Sequence, residues 1–275
     1  ECLRIGSSAL LRGCKAEKQI PLAMSSIRHF GLIGHPISHS QSPTLFYENH
    51  PGTEDRYDLI ETPDFDEAIS IFKRDFDAIN VTAPFKERAM LVADTLEKEC
   101  ELCGATNLLK KVNGGIRGYN TDIDGVYRTI AAHSGEAQYG RSALVIGCGG
   151  AGKAAAIAMA KLGCKVTIAN RSLRKGELFA QRLISIGGYD RIDAVSLEKA
   201  VEIADLYDFI IYTLPVSIEG LSKIDFGDKV VLEANYRDPQ ITPSIIKETT
   251  LYISGKEWLL HQAVSAWDIF YTTSC

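Results

Sequence analysis

Tryptophan and methionine are scarce in this 275-residue chain, at two and three copies, and long apolar runs are missing. A membrane-spanning helix needs about 20 consecutive apolar residues, and no stretch approaches that. A basic excess is lacking too: 30 Lys and Arg stand against 35 Asp and Glu, a formal net charge of −5. General nucleic-acid and membrane-surface binders rely on such an excess, so neither partner is expected. No internal repeat and no low-complexity tract interrupts the chain. The seven cysteines, Cys2, Cys14, Cys100, Cys103, Cys148, Cys164 and Cys275, are scattered and odd in number. That usage suits a reducing compartment, and a cytoplasmic location is expected. Cys100-x-x-Cys103 has no second cluster to complete a four-ligand zinc site, so no metal is expected and the two are read as small residues on one helix face. Residues 1–26 show neither clear periodicity nor the order of a secretory signal and are left unassigned as a leader, with Met24 an alternative start. The rest is ordinary for a globular chain, 45% apolar and 24% charged, with enough length for one or two domains.

Apolar stretches at 28–33, 57–62 and 78–81 read as strands. Ser42-Pro43 opens a helix, residues 64–74 form an amphipathic one, and another follows Pro84. Residues 106–110 and 115–119 flank Asn113-Gly114, a hairpin signal, and a helix starts near Asp122. A second series begins at 143–146, with a helix at 153–162 and strands at 165–169, 209–212 and 229–232. Strands alternating with helices imply a mostly parallel sheet covered on both faces, so the fold class is α/β. Residues 135–140, with few apolar side chains, form a joint between two domains.

The strand at 143–146 runs into Gly147-Cys148-Gly149-Gly150-Ala151-Gly152, in which Gly147, Gly149 and Gly152 have the G-x-G-x-x-G spacing. The first glycine permits a tight turn, the second lets backbone approach a pyrophosphate, and the third lets helix pack on strand. The helix N–H groups then face the phosphates. A site for NAD wants an acid about 20 residues further on, to hold the ribose hydroxyls. Asn170 stands there instead, followed by Arg171, Ser172, Arg174 and Lys175. Cations suit a 2′-phosphate and are mildly unfavourable at a helix N-terminus, which points to NADP.

Ser40-Gln41-Ser42-Pro43 lies between a strand and a helix start. Its two hydroxyls suit a carboxylate cradle, and Ser42 equally suits a helix cap; spacing alone does not separate the two. His39 beside them has a proton-transfer reading, although loop histidines are more often structural or solvated. Lys86 closes the strand-to-helix junction that begins at Asn80, and at the positive end of a helix dipole it is suited to proton transfer. Thr121 is expected to cap the next helix, with Asp124 three residues later, leaving Asp122 as an anion in the first turn.

Together these segments resemble the shikimate dehydrogenase family, from about residue 30 to residue 270, through stretches 34–43, 80–86, 104–107, 118–122, 147–152, 170–172 and 255–263. The resemblance implies a substrate domain over 27–124, completed by 246–275, and a Rossmann-type doubly wound NADP-binding domain over 125–245. It implies that Lys86 and Asp122 are the catalytic pair. Ser40 and Ser42 would hold a carboxylate, Thr82, Asn107 and Gln262 ring hydroxyls, and Tyr236 would line the substrate side. The cofactor contacts would be Gly147, Gly149, Gly150, Ala151, Gly152, Asn170, Arg171, Ser172, Lys175, Thr213 and Gly255.

The implied reaction is reversible reduction of 3-dehydroshikimate to shikimate with NADPH, in aromatic amino acid (chorismate) biosynthesis, by a monomer or homodimer. Trp258 stands where the family usually has Met, Glu233 replaces the usual Asp, an extra residue separates Tyr236 from Pro239, and the chain after Phe270 is short. Three alternatives are a quinate/shikimate dehydrogenase, a non-catalytic shikimate-binding relative and a tetrahydrofolate-linked dehydrogenase. Serine at both 40 and 42 leans towards shikimate, and Lys86, Asp122 and the complete glycine loop argue for turnover. The contexts of Ser40, Ser42 and Asn107 fit the folate-linked enzymes poorly.

Overall fold

The computed structural model describes residues 27–272; the leader with Cys2, Cys14 and Met24, and residues 273–275 with Cys275, lie outside the described residues. The first sheet contains β1 (His29–Gly34), β2 (Arg56–Glu61), β3 (Ala78–Val81), β4 (Thr95–Leu96), β5 (Leu108–Val112) and β6 (Gly115–Tyr119). Its order is β2-β1-β3-β5-β6-β4. β1 pairs parallel with β2 and β3, while β3–β5 and β5–β6 are antiparallel. The hairpin turns at Asn113 and Gly114, whose φ values of 50° and 84° are the left-handed pair that a tight hairpin demands.

Four helices connect these strands: α1 (Ser42–Asn49), α2 (Phe65–Asp75), α3 (Lys86–Ala89) and α4 (Lys98–Cys103). α2 shows why its sequence is helical. Asp64 caps it by accepting from the N–H groups of Asp66 and Glu67, acids fill the first turn, and Lys73 and Arg74 fill the last. Phe65, Ala68, Ile69 and Phe72 fall on one face and pack on Ile33, Ile79 and Leu109 of the sheet.

α5 (Thr121–Ser134) leads out of this sheet into the second, built from β7 (Ser142–Ile146), β8 (Lys165–Ala169), β9 (Ile192–Val195), β10 (Phe209–Tyr212), β11 (Val230–Glu233) and β12 (Leu251–Ser254). All its pairings are parallel, in the order β12-β11-β10-β7-β8-β9. The strand order reverses between β7 and β10, which opens a crevice at their carboxyl ends, the place where doubly wound sheets bind ligands. α6 (Gly150–Lys161), α7 (Leu173–Arg182) and α8 (Leu197–Ile203) belong to this half.

The final helix, α9 (Gly255–Tyr271), returns to the first half. Its Ala263, Ala266, Trp267 and Phe270 join Phe30, Phe46, Tyr57 and Leu108 in one apolar cluster. Among the described residues, no helix is long and apolar enough to cross a membrane.

The first sheet is parallel-rich but not uniformly so: β5 runs antiparallel to both β3 and β6, its hairpin partner. Two bounds also differ from the expected ones. The second sheet reaches beyond residue 245: β12 is its edge strand, so the return to the first half starts at Gly255 rather than at 246. The boundary placed at 124/125 falls inside α5, a continuous helix that packs on both α6 and α9.

One buried charge ties α9 to the first sheet. Lys110 on β5 donates to the carbonyl oxygens of Ile269 and Thr272, at 2.6 and 2.5 Å, serving the end of α9 as a cap. Burial holds its ammonium below the usual lysine range. Lys110→Met is expected to destabilise the protein by ~1–3 kcal/mol, the scale of lost part-buried hydrogen bonds from a charged donor. A denaturant titration of both proteins measures this, and equal midpoints would reject the cap.

Candidate active site

A cavity of about 570 Å³ lies where the loops after β1 and β3, the starts of α5, α6 and α9, and the segment after β11 converge. Ser40, Ser42, Thr82, Lys86, Asn107, Asp122, Tyr236 and Gln262 all line it. Every side chain expected to be catalytic or to touch substrate is therefore gathered at one place.

Lys86 is the first residue of α3, and Asp122 lies in the first turn of α5. Lys86 Nζ donates to Asp122 Oδ2 at 2.6 Å, with the side chains 27% and 16% exposed, enough for a ligand to reach the ammonium. The dipole argument for Lys86 carries little weight, since α3 is a single turn with few aligned peptides. Its orientation comes instead from Asp122 and from a backbone bond of Thr106 N–H to the Lys86 carbonyl, at 2.9 Å.

At the start of α1 the capping role for Ser42 is not realised. Gln41 occupies the cap position, no side-chain cap bond is made, and Ser42 is the first helical residue. Ser40 Oγ donates instead to Ser42 Oγ at 3.1 Å, which places two hydroxyls side by side at the cavity wall. Beneath them Tyr57 is buried and donates from its hydroxyl to Asn80 Oδ1 at 2.8 Å. Burial keeps that phenol protonated well above its ordinary range. Neither Tyr57 nor Asn80 was assigned a role from sequence, because their pairing joins two strands.

Thr121 likewise does not cap α5, so the capping box with Asp124 is not formed: Asn120 holds the cap position and makes no side-chain cap bond. Asn107 Oδ1 accepts the Thr121 N–H at 2.7 Å, while Asn107 Nδ2 donates to Thr121 Oγ1 at 3.0 Å and Gln262 Oε1 at 3.4 Å. Three elements are thereby tied into one polar wall. Asp124 is half-buried beyond it, and desolvation raises its carboxyl above the usual range.

Tyr236 is delivered by a loop anchored on Glu233. That carboxylate is fully buried and accepts the N–H groups of Gln240 and Ile241 and the hydroxyl of Tyr252.

The glycine loop follows β7 as expected. Gly147 has φ 113°, which glycine adopts without strain. A Cβ on Gly152 would lie 2.0 Å from the Gly147 carbonyl oxygen, so only glycine packs there. The helix begins at Gly150, three residues before the expected 153, because Gly149 already serves as its cap position. Gly149 makes no side-chain cap bond, and a Cβ at Gly149 or Gly150 would meet nothing within 4 Å. The helix N–H groups thus face open space. Thr213 supports the turn by donating to the Ile146 carbonyl at 2.9 Å. Ala151 and Gly255 reach the cavity lining, which joins the loop to the Lys86 side.

Asn170, Arg171, Ser172 and Lys175 lie outside the cavity, at the end of neighbouring β8 and the start of α7. Asn170 Nδ2 donates to the Ser172 carbonyl at 3.0 Å, closing the turn. Arg174 pairs with Glu177, whereas Arg171 and Lys175 are exposed without an ion pair among the described residues.

Cys100 and Cys103 are buried, free thiols of α4, and burial pushes both up to about 12. Such thiols are inert, as their reading as plain helix residues anticipates. Among the described residues no group of side chains could hold a metal. His39 is exposed at the cavity edge.

A lobe with paired lysine and aspartate, facing a doubly wound lobe with a dinucleotide loop, defines a two-lobed nicotinamide-dependent dehydrogenase. Sequence models of the shikimate dehydrogenase substrate binding domain and of shikimate / quinate 5-dehydrogenase match residues 32–109 and 129–217. The shikimate dehydrogenase (NADP(+)) of Archaeoglobus fulgidus is 33% identical over 258 residues, covering 88% of this chain and 92% of that protein. That of Halobacterium salinarum is 34% identical over 255 residues, covering 87% and 91%. The chain belongs to the shikimate dehydrogenase family. Among solved structures, the shikimate 5-dehydrogenase of Thermus thermophilus in complex with NADP(H) and shikimate superposes with TM-score 0.74 at 25% identity, covering 89% of this chain and 94% of that one. The quinate dehydrogenase of Corynebacterium glutamicum in complex with NAD reaches TM-score 0.79 at 19% identity over 90% and 94%, a likeness of fold alone.

Proposed function

We propose that this protein is a shikimate dehydrogenase that reversibly reduces the ketone of 3-dehydroshikimate to shikimate with NADPH. The observation that carries it is the Lys86–Asp122 pair, at 2.6 Å, in a cavity that also touches the start of the glycine-loop helix. The residues present fit the cofactor: uncapped helix N–H groups over open space suit a pyrophosphate, and two cations beside Asn170, without an ion pair among the described residues, suit a 2′-phosphate.

When bound, the reduced nicotinamide supplies hydride to the ketone carbon. As the carbonyl oxygen gains negative charge, Lys86 Nζ stabilises it and delivers a proton to that oxygen. Asp122 holds the ammonium in place. Ser40 and Ser42 hold the carboxylate away from the reacting carbon, and Thr82, Asn107 and Gln262 orient ring hydroxyls, with Tyr236 also lining the substrate cavity. In the oxidative direction the neutral amine of Lys86 takes the proton back.

The substrate lobe in this reading is the first sheet with α9, and the cofactor lobe is the second sheet. The protein works as a monomer or homodimer in the cytoplasm, on a small acid alone. An assay of reduced nicotinamide absorbance with shikimate or quinate against NADP or NAD tests the whole proposal. Turnover of shikimate with NADP is the expected result, and an inert protein would overturn it.

Ser40→Ala is expected to raise the KM for shikimate roughly tenfold, with a smaller effect on kcat, since a hydrogen bond to a charged group is worth ~1.5–3 kcal/mol and this one is remote from the chemistry. An unchanged KM in a folded variant would demote Ser40 to a loop residue.

A further inference from the structure

We infer that Trp258 is a positioning residue for the Lys86–Asp122 pair, acting through the backbone of Asp122; the inference rests on the reaction proposed above. α5 is a helix whose start has no side-chain cap. Uncapped first turns fray, because their N–H groups lack partners and little fixes their outer residues. Asp122 sits in that turn, and its carboxylate can hold Lys86 only if the turn itself is held.

Two long-range bonds hold this turn: one serves a free N–H as a cap would, and the other pins a carbonyl from outside the helix. Asn107 accepts the Thr121 N–H, and Trp258 Nε1–H donates to the Asp122 carbonyl oxygen at 2.9 Å. Trp258 is one turn into α9, 136 positions away in the chain, and is 6% exposed. Most of the indole is thus removed from water, and a largely buried indole donor is costly to leave unpaired.

The indole fits because α5 carries glycine at 125. A Cβ there would lie 2.5 Å from Trp258 Cδ1 and 2.8 Å from Gln262 Cβ. Gly125 is thus a slot that lets α9 approach α5 closely, one turn beyond Asp122. The same face of α9 presents Gly255, Trp258 and Gln262 to the cavity. The indole consequently couples the helix that carries Gln262 to the carbonyl beside the catalytic carboxylate. A side chain of similar size without the N–H fills the slot but leaves the turn unlatched.

The test is Trp258→Phe, which keeps an aromatic ring in the slot and removes the donor. With saturating NADP and shikimate, kcat is expected to fall roughly threefold to tenfold, the scale of one net hydrogen bond expressed in the transition state. The KM for shikimate should stay within about twofold, because Ser40, Ser42 and Asn107 are untouched. A purely structural role would lower the thermal midpoint without this split. Trp258→Met, which also fills the slot and removes the donor, carries the same expectation and serves if Trp258→Phe does not fold. A retained kcat, or a loss confined to KM, in whichever variant folds would overturn the inference. If wild type turns over shikimate and Lys86→Ala does not, while Trp258→Phe is normal, only the role of Trp258 falls. A wild-type protein inert towards shikimate overturns both.

Discussion

Lys86→Ala is expected to lower kcat by ~10²–10⁴-fold while leaving the KM for shikimate nearly unchanged, because loss of a positioned acid costs that much and the ammonium is engaged mainly in the transition state. In the proposed reaction the ground-state acid is held not by Lys86 but by the serine pair and the Asn107–Thr121–Gln262 wall, whose side chains are already bonded to one another. Asp122→Asn should be severe as well. The amide keeps the shape of the carboxylate, but its oxygen is a neutral acceptor and its NH2 is a competing donor, so the hold on Lys86 Nζ at 2.6 Å weakens. Steady-state rates with both substrates varied measure the two effects. Near-normal turnover by Lys86→Ala would reassign the proton to another group.

Legibility in the sequence followed the range of the interaction. The glycine loop, the Asn113-Gly114 hairpin and the strands around them are local patterns, and each stands where expected. Lys86 and Asp122 were found through their junction motifs, although their contact spans 36 positions. The hydroxyls of Ser42 and Thr121 were harder, because a cap and a binding group have the same sequence signature. What decides is the partner each finds in the fold: Ser40, two positions away, beside Ser42, and Asn107 and distant Gln262 beside Thr121. Gln262 lies 155 positions from Asn107, a separation that no local spacing reveals. The edge strand β12 was not expected, since four residues with exposed Leu251 give little periodicity. The bond from Trp258 to Asp122 was invisible for a further reason. A departure from a family pattern shows that the surroundings differ, but only packing shows which atom the new side chain reaches.

Arg171→Ala is expected to weaken NADP by roughly ten- to a hundredfold while leaving NAD nearly untouched, since a charge-assisted bond to phosphate is worth ~1.5–3 kcal/mol. Asn170 stands where a NAD site needs a carboxylate, and its side chain is turned onto the Ser172 carbonyl at 3.0 Å. The ribose hydroxyls of NAD therefore find no strong acceptor there. Arg171 and Lys175 flank that turn, exposed and without ion pairs among the described residues, so neither must break a contact to meet a phosphate. Arg174 is less suited, since Glu177 lies 3.6 Å from it. Arginine offers a planar fork to the phosphate oxygens, whereas Lys175 adds a point charge, so Lys175→Ala should cost less than Arg171→Ala. Because the cations are exposed, rising salt should raise the KM for NADP more steeply than that for NAD, and Arg171→Ala should flatten the difference. An Arg171→Ala variant that loses both cofactors equally would place the guanidinium against the adenine or in the fold, and the preference for NADP would then need another source.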